Sequence, residues 1–130
     1  MASEDALGLA LAQVTGQPGV LAALVTTRDG LPVAALRATD EPVGDTDAWA
    51  AVSSTLGSLA DQLSAALERG RLTSAVFRTE RRWFLLRALP VGFLVVISEE
   101  DPSGPDFEVA ADEVARATAA LAGAEGKGKT

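Results

Sequence analysis

The stretch Gly19–Leu36, GVLAALVTTRDGLPVAAL, constrains the fold of this chain more than any other. It reads as two apolar strands meeting at Asp29–Gly30, residues that accept the positive φ angles a tight hairpin turn demands. The first strand, Val20–Thr27, is apolar on both faces through Val25, as suits a sheet interior. The second, Leu31–Arg37, contains Pro32, which lacks the amide hydrogen a central strand donates. That places the second strand at a sheet edge.

A polar loop, Ala38–Thr46, leads from the hairpin into the longest element. Asp45, Thr46 and Asp47 supply a cap and first-turn acids, and Gly70 stands where a left-handed C-cap belongs. Trp49, Val52, Leu56, Leu59, Leu63 and Ala66 recur by threes and fours, one continuous apolar stripe on a helix roughly 35 Å long. A second face, Ala51, Ser54, Ser58 and Ala65 with Thr55 and Gln62 beside it, is built of small residues and carries only Asp61 near its middle. Solvated helix faces usually carry Glu, Lys and Arg. This one is read as a contact face for another helix, the alternative being a solvated surface in an alanine-rich chain.

The remaining pattern closes the domain. Leu72–Thr79 alternates loosely, Trp83–Leu89 returns as the second arm of a hairpin, and Pro90 turns the chain into Val91–Ser98, apolar on both faces and therefore central. A last helix starts at Ser103, Pro105 and Asp106 and buries Phe107, Ala110, Ala111, Val114, Thr118 and Leu121. At the other end Ser3 caps a first helix that buries Ala6, Leu7, Ala10, Leu11 and Val14 and stops at Gly16. The element order is α-β-β-α-β-β-β-α: one layered α/β domain over residues 1–122, with an antiparallel sheet and helices on its faces, and a flexible Gly/Lys tail over 123–130.

Composition removes most chemistry. The chain has 130 residues, 48% of them hydrophobic, enough for one core, and no cysteine, histidine or tyrosine. Thiolate and zinc–sulfur sites are thereby excluded, and the commonest general base and metal ligand are missing. No serine has a histidine or lysine near it to activate it. The net charge of −7 disfavours phosphate backbones, so nucleic acid is not expected as a partner. The N-terminus lacks a basic leader, and no apolar run approaches the roughly 20 residues of a membrane span. A cytoplasmic protein is expected, with no catalytic, cofactor-binding or metal residues.

Three motifs require a decision. Gly123, Gly128, Lys129 and Thr130 match G-x-x-x-x-G-K-[ST], but a phosphate-cradling loop needs a strand before it and a helix after it, and here a helix precedes and the sequence ends. The match is rejected as a nucleotide site. The acids Glu99, Glu100, Asp101 and Asp106 fit no calcium-loop spacing and read as a solvated connection. Arg78, Arg81, Arg82 and Arg87 cluster around the second hairpin with Trp83. They are read either as a docking site for an acidic partner or phosphate, or as a polar hairpin tip.

GVLAALVTTRDGLPVAA, the long Ala/Ser-rich helix and RWFLLRALPVGFLVVIS together resemble the roadblock family, dynein-light-chain-like domains whose bacterial and archaeal members regulate small Ras-like GTPases. The resemblance runs from about Ala6 to Leu121. It implies a five-stranded antiparallel sheet in the order 2-1-5-4-3, and obligate dimers that pair third strands and pack long helices. The implied dimer contacts fall on Ala51, Ser54, Thr55, Ser58, Gln62, Ala65, Leu72, Ser74, Val76 and Arg78. The implied GTPase contacts fall around Trp49, Ala50, Ser54, Ser58 and Asp61. Such regulators reposition the partner's own catalytic groups, so no arginine here is assigned as a finger. The expected function is a homodimeric regulator or scaffold of a Ras-like GTPase, without catalysis of its own. The rival is a profilin-like or PAS-like sensing module for a small molecule.

Overall fold

A computed structural model describes residues 2–39, 45–68, 70–90 and 92–128. Three helices and five strands follow the expected order: α1 (Ala2–Thr15), β1 (Val20–Thr27), β2 (Pro32–Arg37), α2 (Thr46–Leu67), β3 (Ser74–Arg78), β4 (Trp83–Leu89), β5 (Gly92–Ser98) and α3 (Pro105–Gly128). The strands form one antiparallel sheet in the order β2-β1-β5-β4-β3. Pro32 lies at the start of an edge strand, and β5, all seven residues buried, sits at the centre.

Alternation along β5 builds a core on each face of the sheet. Leu94 and Val96 meet Leu7, Leu11 and Val14 of α1 and Phe107, Ala111 and Val114 of α3. Phe93, Val95 and Ile97 face the other way, with Leu24, Phe84, Leu86 and Ala50 of α2. Arg87 on β4 straddles the first layer, its guanidinium binding both Glu108 and Asp112 of α3.

The structure departs from the sequence reading at several ends. Ser3 lies inside α1 rather than capping it, and Ala6 is exposed. The third strand is shorter than Leu72–Thr79, and β5 begins at Gly92, with Val91 outside the described residues. The backbone of α3 continues through Gly123 to Gly128, and Lys129 and Thr130 lie outside the described residues. Gly126, Lys127 and Gly128 of the GKGKT string thus stand at the end of a helix. Among the described residues, no helix is long and apolar enough to cross a membrane.

Candidate interaction surface

Helix α2 is set by its ends. Asp45 has an extended backbone and its Oδ1 accepts the Asp47 N–H at 3.0 Å, satisfying one of the donors that a helix start leaves open. Asp45→Ala is expected to cost about 1 kcal/mol of stability, read as a lower urea midpoint with an unchanged slope. At the other end Glu68, not Gly70, takes the left-handed cap, with φ 55 and ψ 34, and its N–H reaches the carbonyls of Ser64 and Ala65. Gly70 also has a positive φ, 97, two residues on.

The face that α2 presents to the sheet is a row of small residues, Ala50, Ser53 and Gly57. Ser53 is buried with its hydroxyl donating to the Trp49 carbonyl at 2.7 Å. Gly57 lies directly over the Phe93 ring, where a Cβ would come within 2.3 Å of Cζ. Such closeness rotates the apolar stripe away from the sheet. Val52, Leu59 and Leu63 are 44%, 56% and 60% exposed. Leaving a leucine half in water forgoes roughly 1 kcal/mol of burial, and the three together form an exposed apolar ridge on α2.

The two flanks of α2 differ. On one, Trp49 is half-buried against Phe84 of β4 at 5.3 Å, and Phe84 meets Phe77 of β3 at 6.1 Å, an aromatic row running toward the sheet edge. Leu56 and Leu63 follow Trp49 at seven-residue spacing and lean the same way. On the opposite flank the β1–β2 turn is latched down. The Ser54 hydroxyl donates to the Arg28 carbonyl at 2.9 Å, and the Arg28 guanidinium lies 3.5 Å from Asp61 and over the Phe93 ring. Gly30, with φ 92, tucks against Ala50 and Ser54. Within the turn, Thr27 Oγ1 donates to Asp29 Oδ1 at 2.6 Å and holds that carboxyl below its usual range.

The expected contact residues therefore separate into groups. Ala51, Thr55, Ser58, Gln62 and Ala65 are exposed on α2, and Ser54 and Asp61 are already engaged with Arg28. Ala50 is fully buried and offers a partner no side-chain surface, a correction that follows from its place under the helix. Leu72 is half-buried, whereas Ser74, Val76 and Arg78 line the outer strand β3. Arg78 stacks over Trp83 at 4.8 Å. Val52, Leu59, Leu63 and Phe77 are surface residues that the small-residue reading passed over. Gly57, a weak helix former in mid-helix, was the signal that could have located the sheet-facing row.

Two hollows border α2, and the larger, about 660 Å³, is lined by Arg28, Asp61, Ser64, Ala65, Leu72 and Phe93. The cavity between α2 and the sheet, lined by Ala22, Leu24, Ala35, Trp49 and Ile97, holds about 30 Å³, the share of one water. Among the described residues no group of three or more metal-ligating side chains converges.

Comparison with known proteins agrees with this architecture. The chain superposes on gliding protein MglB from Thermus thermophilus with a TM-score of 0.78 at 21% identity, covering 90% of this chain and 91% of that one. Myxococcus xanthus MglB gives 0.76 at 10% identity, covering 91% and 95%. A Roadblock/LC7 domain from Streptomyces avermitilis gives 0.66 at 19% identity, covering 85% and 88%. No curated protein matches the chain by sequence. The Roadblock/LC7 domain profile matches residues 7–99, from α1 through the end of β5, and on that match the chain belongs to the Roadblock/LC7 family.

Proposed function

We propose that the chain is a homodimeric, non-enzymatic regulator or scaffold of a small Ras-like GTPase, bound in its triphosphate form over the surface of the paired α2 helices. The observation that carries this reading is the apolar ridge Val52–Leu59–Leu63, exposed on a helix whose neighbouring sheet ends in the open strand β3. One protomer leaves both unfinished, and a second copy would finish both at once. The ridge leans toward β3, so it rather than the small flank is assigned the subunit contact. Ser58 and Asp61 then remain accessible to the GTPase beside the latched β1–β2 turn, with Trp49 on the other flank.

Preference for a nucleotide state has to come from contacts with segments that the third phosphate orders. Titrating a Ras-like GTPase encoded beside this protein, loaded with a non-hydrolysable triphosphate or with diphosphate, tests the reading. At least about tenfold tighter binding of the triphosphate form is expected, about 1.4 kcal/mol. Equal binding of both forms would reduce the protein to a scaffold. Absence of binding, with capture of a metabolite instead, would favour a sensing module.

A further inference from the structure

The open edge of β3 carries enough geometry to define how a second copy pairs with it. The Thr73 carbonyl accepts the Ala88 N–H at 2.9 Å, and the Thr79 N–H donates to the Arg82 carbonyl at 2.8 Å. Between these, Ala75 lies opposite Leu86 and Phe77 opposite Phe84. Alternate pairs exchange hydrogen bonds in an antiparallel ladder, so the odd-numbered residues of this segment face β4. The N–H and C=O groups of Ser74, Val76 and Arg78 point outward.

A strand pairing antiparallel with its own copy across a two-fold axis sets one residue opposite itself. With Val76 on the axis, Ser74 meets the partner's Arg78 and Arg78 meets the partner's Ser74, and every outward group of the strand is used. With Ala75 or Phe77 on the axis, one of the three outward residues runs past the end of the facing strand. Side-chain size points the same way. Ala75 and Phe77 sit on the α2 side, since Leu86 and Phe84 opposite them belong to that core. Only the Val76 register sets Phe77 over Ala75 on one face and Arg78 over Ser74 on the other, with Val76 meeting its own copy on the axis.

We propose that Arg78 of each subunit seats in a cleft beside Ser74 of the other and binds Glu108 there. This deepens the dimer reading above and rests on it. The cleft has a volume of about 350 Å³ and is lined by Leu72, Thr73, Ser74, Arg87, Ala88 and Glu108. Arg87, directly opposite Ser74 on β4, is one guanidinium serving two carboxylates, Glu108 and Asp112. The cluster therefore carries surplus negative charge, and the Glu108 side chain is 58% exposed. Arg78 brings the complement: among the described residues it has the Trp83 ring and no ion pair. Strands lie about 4.8 Å apart, so the partner's Arg78 and Arg87 flank Ser74 about 10 Å apart, with the Glu108 carboxylate able to bridge them.

The chain has no cysteine, so single introduced thiols report the register directly. Val76→Cys is expected to give a cross-linked dimer on mild oxidation, because facing residues of a hydrogen-bonded pair lie about 5.5 Å apart, within disulfide reach. Ala75→Cys and Phe77→Cys are expected to cross-link at most weakly. In sedimentation, Arg78→Glu and Glu108→Arg are each expected to weaken the dimer about tenfold or more, and the double variant carrying both to recover to within about threefold of the parent. Preferential cross-linking through position 75 or 77 in a chain that dimerises would overturn the register alone. Single charge variants that dimerise as tightly as the parent would overturn the Arg78–Glu108 contact. A parent that sediments as a monomer, with no thiol cross-linking, would overturn the dimer reading itself.

Discussion

Gly57→Leu is expected to cost at least about 3 kcal/mol of stability and to lower the melting temperature by about 10 °C or more. A glycine in a helix interior ordinarily weakens the helix by about 1 kcal/mol against alanine, so even Gly57→Ala would stabilise an exposed helix. Here the added Cβ would stand 2.3 Å from Phe93 Cζ and 2.8 Å from Cε2. Phe93 is 3% exposed and held in β5 between Thr26 of β1 and Ala88 of β4, so the ring has nowhere to move without disturbing the sheet centre. The sign of Gly57→Ala therefore reverses to a loss, and a leucine has to lift α2 off the sheet. Thermal unfolding followed by circular dichroism reads both variants. A Gly57→Ala protein that melts above the parent would mean that the contact does not set the height of α2.

The same contact explains what was legible in the sequence and what was not. Strand identity came from short-range chemistry: Asp29–Gly30 at the turn, Pro32 at an edge, and an apolar run on both faces in the centre. These features act through local backbone geometry, and the structure keeps the hairpin, the edge and the central strand, though at the turn Gly30 and not Asp29 takes the positive φ. The rotation of α2 is another matter. Periodicity says that Trp49, Val52, Leu56, Leu59 and Leu63 share a side, but not whether that side meets the sheet or a second molecule. The closer approach of Ala50, Ser53 and Gly57 decided it, and for that reason Ala50 moved from the expected GTPase surface into the core. Glu68 in the left-handed cap is a similar case, in which the place where α2 ends overrides the preference for glycine. The register of β3 lies beyond sequence altogether, because it depends on which backbone groups β4 already occupies.

If the outward ridge of α2 is the subunit contact, charges placed on it will dissociate the dimer without unfolding the protomer. Leu59→Asp together with Leu63→Asp is expected to weaken dimerisation at least about 100-fold, because a carboxylate taken from water into an apolar contact without a partner is strongly disfavoured. Both leucines are more than half exposed in the protomer, and surface changes of this kind usually alter stability by no more than about 0.5 kcal/mol each. The melting temperature of the double variant should therefore stay within a few degrees of the parent diluted to its monomer, while its sedimentation coefficient falls. Ser58→Arg, on the flank beside the Arg28–Asp61 latch, provides the contrast. It should leave the dimer largely intact and weaken GTPase binding instead, because that flank faces away from β3. A dimer that survives both aspartates would leave the two-fold contact to the β3 edges alone and hand the ridge to the GTPase. Loss of the dimer with Ser58→Arg and not with the aspartates would return the subunit contact to the small flank.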